Sequence, residues 1–329
     1  MNKEYVKKML TIRDIAAKAG VSVSTASRAL NNNPRISQAT RERIQALAEA
    51  EGYLPNYNAK NLTAGEANAV GVVFPTADHS HPENPFYIDL LRGINGQLTQ
   101  RHYVLSVAIS KTSADLLENV KSMVVQGKIK RFVLMYAHHD DPIAAFLRQH
   151  HLRFVTIGQP DDNANDYFVD NDNLQAGIGG ATYLLDQLQV KHPVFVESAH
   201  DWAYEQQRRQ GYERVAASFN VEPLTCKLGE VNRARLFIKQ HPEIDGIMAT
   251  DDFNAIEFYR LVREQSSIRN FPVVSFNHSL PTGLTDANLH SVNLFPEKMG
   301  SATVALLFSD REPLDTPTPG QIRIPYEIK

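Results

Sequence analysis

A single cysteine, Cys226, stands among 329 residues, so no disulfide can close within the chain and a reducing compartment is expected. No apolar run approaches the roughly 20 residues that span a bilayer. The opening MNKEYVKKM also lacks the apolar centre of a secretory signal, and the chain is therefore read as cytoplasmic. Gly-x-x-x-x-Gly-Lys-Ser/Thr loops, Gly-x-Ser-x-Gly elbows and His-Glu-x-x-His pairs are all missing, which removes the commonest nucleotide, esterase and metalloprotease chemistries. GIGGA at 177–181 falls inside a predicted helix rather than before one, so Gly177, Gly179 and Gly180 point to close helix packing. His138, His139, Asp140 and Asp141 are contiguous in one strand-end loop, a poor arrangement for metal ligands. No enzyme activity, metal or cofactor is expected.

Charge is unevenly spread. Residues 1–62 carry ten Lys or Arg against five acids, a net of +5, and the other 267 residues carry a net of −8; the overall −3 hides a basic head on an acidic body. That asymmetry is expected where one end meets phosphates.

The head has the punctuation of three helices. Thr11 with Asp14 opens the first, whose apolar face is Ile12, Ile15, Ala16 and Ala19. Gly20 falls where a left-handed cap is needed and Ser22 is an N-cap for the second. Ala26 and Leu30 continue the apolar stripe there, leaving Val23, Ser24, Thr25 and Arg28 to point outward. A third helix runs from Ser37 to about Glu51, with Ile44, Leu47 and Ala48 inward and Gly52 as its stop. Apolar spacing alone also allows an ordinary helical hairpin, but the charge favours a helix-turn-helix. Asn56 to Leu62 is too short to hold a helix without support.

AGVSVSTASRALN, TRERIQALAEAEGYLPN and the Asn56, Ala59, Leu62 spacing together resemble the lactose-repressor/galactose-repressor family over about 55 residues. The resemblance implies that Val23, Ser24 and Arg28 read base edges, with Thr11, Ser22, Thr25, Ser27, Asn31, Asn56 and Ala59 completing the DNA-facing set. It also implies that Leu62 of a hinge helix wedges between base steps; Leu62 on its own would be a plain linker or core leucine. The Val23-Ser24 pair is shorter and less polar than in some members, which favours methyl contacts and short hydrogen bonds over a bidentate fork.

Beyond residue 68, β-rich apolar runs at 69–75, 103–109, 131–136, 153–158, 192–197, 245–250 and 272–276 alternate with helix-length segments, which predicts parallel sheets covered on both faces. A body of this length favours two sheets with a ligand cleft between them. The expected organisation is a helix-turn-helix domain at 10–55, a hinge and linker at 56–67, and a two-lobed α/β core at 68–329, like the type I periplasmic sugar-binding proteins. Its N-lobe is expected at about 68–166 and 296–314. The C-lobe would take 167–295 and 315–329, including a last strand at 321–328. The chain stops there with no heptad tail, so a dimer is expected, formed by the core and including the helix from Pro85 to Gln100.

Ligands in parallel α/β sheets sit beyond the carboxyl ends of strands. Asn84, Phe86, Tyr87, Tyr136, Asp170, Asp172, Trp202, Arg208, Asp251 and Asn277 follow predicted strands and supply ring faces, carboxylates, amides and one arginine, the inventory for binding sugar hydroxyls. The resemblance assigns effector contacts to Arg208, three before Gly211-Tyr212, and to Asp172, Asp251 and Asn277, the last replacing a common aspartate. Taken singly, Arg208 and Asp172 could be ion-pair partners, Trp202 could pack under a loop, and Asp252 reads as a helix N-cap. FVLMYAHHDDP, FVDNDNLQAG and VVSFNHS resemble the maltose-operon-repressor branch, which implies maltose or a related α-glucoside as inducer. The expected partners are operator DNA, a sugar and a second copy, with a protein co-repressor left open. The competing function is a sugar-binding or sugar-processing protein whose basic head binds a protein partner.

Overall fold

The computed structural model describes residues 10–53, 66–76, 84–160, 166–200, 202–265, 271–278, 288–309 and 320–328. The hinge positions Asn56, Ala59 and Leu62 lie outside them. The chain divides into two compact units, 1–65 and 66–329.

The first unit contains α1 (Ile12–Ala19), α2 (Val23–Leu30) and α3 (Gln38–Ala50). The Asp14 carboxylate accepts from both the backbone N–H and the hydroxyl of Thr11 at 2.7 Å, closing the start of α1. Gly20, at φ 65°, turns the chain left-handed, a conformation that costs glycine nothing. Ser22 then accepts from the Thr25 N–H at 3.2 Å. Ile15, Ala29 and Ile44 are fully buried and meet in one small core, so each helix contributes a single apolar stripe.

The second unit contains two six-stranded sheets. The first is ordered β2 (Val104–Ala108), β1 (Ala69–Val73), β3 (Arg131–Leu134), β4 (Arg153–Ile157), β5 (Phe168–Asn171) and β11 (Gln321–Ile324). All its pairings are parallel. The two-residue period of a strand sends Val70, Val72 and Val133 into one core with α4 (Pro85–Gln100) and α11 (Pro296–Leu307). It sends Val73, Phe132 and Leu134 into another, with α5 (Ser113–Val125) and α6 (Pro142–Gln149).

The second sheet runs β7 (Leu224–Leu228), β6 (Pro193–Ser198), β8 (Gly246–Ala249), β9 (Pro272–Phe276), β10 (Asn288–Asn293) and β12 (Glu327–Ile328), of which only β12 is antiparallel. Here α9 (Val231–Gln240) and α10 (Asp252–Gln265) cover one face. The other is covered by α7 (Asn173–Thr182), extended by one π-helical turn at Tyr183–Gln187, and α8 (Ala203–Ser218). Gly177 and Gly211 let α7 and α8 touch backbone to backbone, because a Cβ at either would collide with main-chain atoms of the other helix.

The lobe boundary differs from the sequence expectation. β5, placed in the C-lobe by sequence, pairs with β4 in the first sheet, and β11 pairs with β5 along Gln321↔Phe168 to Ile324↔Asn171. Every residue of β5 is buried, so it needs a covering strand on its open edge, and β11 is that strand. Pro325 then interrupts the ladder, having no N–H to donate, and only β12 reaches the second sheet. The chain thus passes between the lobes three times, after β5, after β10 and between β11 and β12. Asn171 ties these passages together, its Nδ2 donating to Leu294 O at 3.2 Å and Ile324 O at 2.9 Å. Among the described residues, no helix is long and apolar enough to cross a membrane.

Candidate functional site

In the head, α2 leaves Val23, Ser24 and Arg28 exposed, while Ala26 and Ala29 on its opposite side are fully buried. Thr25 and Ser27 are half-buried. Ser22 holds hydroxyl contacts to Ser24 at 2.9 Å and Thr25 at 2.8 Å, and Asn31 donates back to Ser27 O at 2.7 Å. The start and end of α2 are therefore fixed by its own polar side chains. Not every basic residue of the head is available to phosphate: Lys18 pairs with Glu51 at 2.5 Å, and Arg43 donates to Ala19 O at 3.0 Å. Arg13, Arg28 and Arg35 are exposed.

In the core, strand ends from both lobes face one cavity of about 170 Å³. The predicted Asn84, Phe86, Tyr136, Trp202, Arg208, Asp251 and Asn277 all line it. Asn84 caps α4, accepting from Phe86 N at 3.0 Å, and so presents Phe86 and Tyr87 beside the cleft. Asn277, at φ 93°, takes a conformation rare for a side-chain-bearing residue as the chain leaves β9.

Arg208 is 4% exposed, and its orientation is set on every side. Its Nε and Nη2 donate to Asn173 Oδ1 at 3.0 and 2.9 Å, and its Nη1 donates to Thr250 O at 2.7 Å. The guanidinium lies over the rings of Phe276 at 4.3 Å and Tyr204 at 4.7 Å. Asn173 in turn donates to Asp170 Oδ1 at 3.0 Å, and Asp170 accepts from Arg323 of β11 at 3.3 Å. Burial pulls the Arg208 guanidinium below its ordinary value, while Tyr204, Asp170, Glu205 and Asp251 pull it back up.

Two expectations need correction. Asp172 does not line the cleft: it is exposed and caps α7, accepting from Gln175 N at 3.0 Å. Asp170, two residues earlier and buried at the end of β5, lines it instead. Asp252 is not the N-cap of α10 either. Asp251 does that, accepting from Asn254 N at 2.7 Å, while Asp252 is buried and accepts from Ser275 and Ser291.

Tyr87, one of the strand-end candidates, lines the cavity as well; Tyr204, Glu205, Asn254 and Glu257 also line it and were missed by sequence. Glu205 is 1% exposed, with Ser198 Oγ at 3.0 Å as a donor. Burial raises its carboxyl to about 8; the Ser198 bond opposes this and the Asp251 charge adds to it. Tyr204 stacks on Trp202 at 6.3 Å, and His138 meets the Trp202 ring edge-on at 5.8 Å. Among the described residues, no group of three or more His, Cys, Asp or Glu side chains could hold a metal ion.

A three-helix head with an exposed face on its second helix, in one chain with a body of two sheets, parallel but for β12, whose strand ends face a polar and aromatic cleft, is the organisation of a ligand-responsive DNA-binding regulator. Residues 11–56 match the description "Bacterial regulatory proteins, lacI family", and residues 67–280 match "Periplasmic binding proteins and sugar binding domain of LacI family". The chain belongs to the lacI family of bacterial regulatory proteins. It is 28% identical over 307 residues to the HTH-type transcriptional regulator MalR of Staphylococcus xylosus, covering 89% of this chain and 88% of the relative. Its fold is similar to a transcriptional regulator CelR–cellobiose complex (TM-score 0.70, 22% identity, 97% of this chain and 98% of the other). It is also similar to the lac repressor dimer bound to operator and the anti-inducer ONPF (TM-score 0.75, 17% identity, 98% of each chain).

Proposed function

We propose that two copies of this chain hold a pseudo-palindromic operator as a repressor, and that an α-glucoside, maltose or a close relative, releases it. The observation that carries this is the cleft: a fixed arginine between two aromatic rings, with carboxylates and amides around it, suits hydroxyl pairs on a sugar ring. The relative named MalR supports maltose as the effector. In this reading Phe86, Tyr136 and Trp202 stack on the sugar, Arg208, Asp251 and Asn277 bond its hydroxyls, and Asp170 takes the part that sequence gave to Asp172. Val23, Ser24 and Arg28 read bases, with Thr11, Ser22, Thr25, Ser27 and Asn31 shaping that surface, and Asn56, Ala59 and Leu62 form the hinge. Exposed apolar side chains support pairing through the core: Ile88 on α4, Val104 on the edge strand β2, and Ile109 just beyond it. Nothing in the cleft calls for a protein co-repressor, and none is part of this reading.

Release is linkage. The sugar must bind the weak-DNA state better than the strong-DNA state, typically by about 1 to 3 kcal/mol. The test is a thermal-shift panel of maltose, maltotriose, trehalose, sucrose, galactose and ribose. Stabilisation by an α-glucoside is expected; stabilisation by ribose alone would overturn the effector.

A further inference from the structure

A second cavity, of about 140 Å³, lies beside the cleft at the carboxyl ends of β1 and β3. It shares two walls with the cleft, Tyr136 and Trp202, and its other polar lining includes Thr76, Ser113, His139 and Asp141. We propose that this cavity is an extension subsite that receives the next glucosyl unit of an oligosaccharide whose first units occupy the cleft. The inference rests on the sugar reading given above.

Three observations argue for a neutral polyhydroxyl ligand rather than an anion. The cavity lies at the N-termini of α5 and α6, where free N–H groups would suit a phosphate. Several of those groups are already engaged: Asp141 accepts from Ile143 N at 2.8 Å and Ala144 N at 2.7 Å, and Thr112 accepts from Asp115 N at 3.2 Å. Asp140 and Asp141 place two carboxyl groups on the cavity wall, which an anion would have to approach. Ring faces and hydroxyls remain. Trp202 is braced by His138 edge-on and by Tyr204 in a stack, so its ring is held as a fixed partition that one sugar chain could pass and pack against.

Calorimetry on the full chain with glucose, maltose, maltotriose and glucose 6-phosphate tests this. Maltotriose is expected to bind at least about tenfold more tightly than maltose, a difference of roughly 1.4 kcal/mol. Ser113→Tyr projects a ring into the cavity from the first residue of α5 and leaves the Thr112 cap in place, so it should erase the difference. His139→Ala removes a polar wall without filling space and should narrow it, which keeps the test open if the tyrosine variant fails to fold in circular dichroism. Equal affinity for maltose and maltotriose in the unaltered chain would overturn the subsite, as would a difference that survives both substitutions. Glucose 6-phosphate binding that Ser113→Tyr abolishes would make the cavity an anion site and overturn it too. Binding of none of these sugars would instead remove the α-glucoside reading, and this inference with it.

Discussion

Arg208 and Glu205 show how burial turns ordinary side chains into a site. Arg208 needs Asn173 and Thr250 O to offset its loss of water, and the same bonds fix its guanidinium at the cleft, where the proposed function has it meet the sugar. Arg208→Ala is expected to abolish the sugar-induced change in DNA affinity and to leave sequence-specific DNA binding intact, as read by anisotropy with and without sugar. Glu205 has the opposite problem, being buried among acids. Its carboxyl is raised from 4.5 to about 8 in the fold, so the folded state holds a proton that the unfolded state releases. The stability this group contributes is fully present below about pH 4.5 and is lost as pH rises through about 8. Glu205→Gln, which cannot ionise, should match the parent chain near pH 5 and melt at higher temperature near pH 8.5, by the equivalent of a few kcal/mol. A parent and variant whose melting temperatures move in parallel across that range would contradict the burial argument.

At the scale of elements, much was legible because strand ends and helix caps follow short-range rules. Thr11, Gly20, Ser22 and Ser37 punctuate the head as their chemistry demands. Looking just past each strand found most of the cleft. The misses have local causes. Glu205 lies three residues from both Trp202 and Arg208, on the same face of α8, so helical spacing from two residues already chosen would have found it. Asp172, followed three residues later by Gln175, carried a capping signature that competed with a ligand role. The lobe of β11 was not legible, since its pairing with β5 joins residues more than 150 apart and no local pattern encodes it; β5 pairs with the nearby β4, but its wholly buried run carries no alternation to mark which sheet it joins. For α2, the exposed Arg28 opposite buried Ala26 and Ala29 leads to a direct expectation. Arg28→Ala should cost about 1 to 3 kcal/mol of specific affinity and much less of non-specific affinity, measured as competition between selected and random duplexes. Equal losses on both would reduce Arg28 to a phosphate contact.

For the whole molecule, the three passages between lobes held by Asn171, and the Arg208–Asn173–Asp170–Arg323 chain beside them, place the cleft where the lobes are joined. A ligand bridging the lobes can therefore favour one arrangement of the core over another, which is the property a sugar-released repressor needs. Light scattering is expected to give about twice the chain mass of 36.9 kDa at micromolar concentration; a monomer would contradict the paired-head account. The most direct test of that account is the affinity of the 329-residue chain for a pseudo-palindromic duplex selected from a random pool, measured at fixed salt with and without maltose. A preference for that duplex, weakened about 5- to 150-fold by maltose, is the predicted result. An affinity unchanged by maltose, under conditions where calorimetry shows the sugar bound, would contradict it.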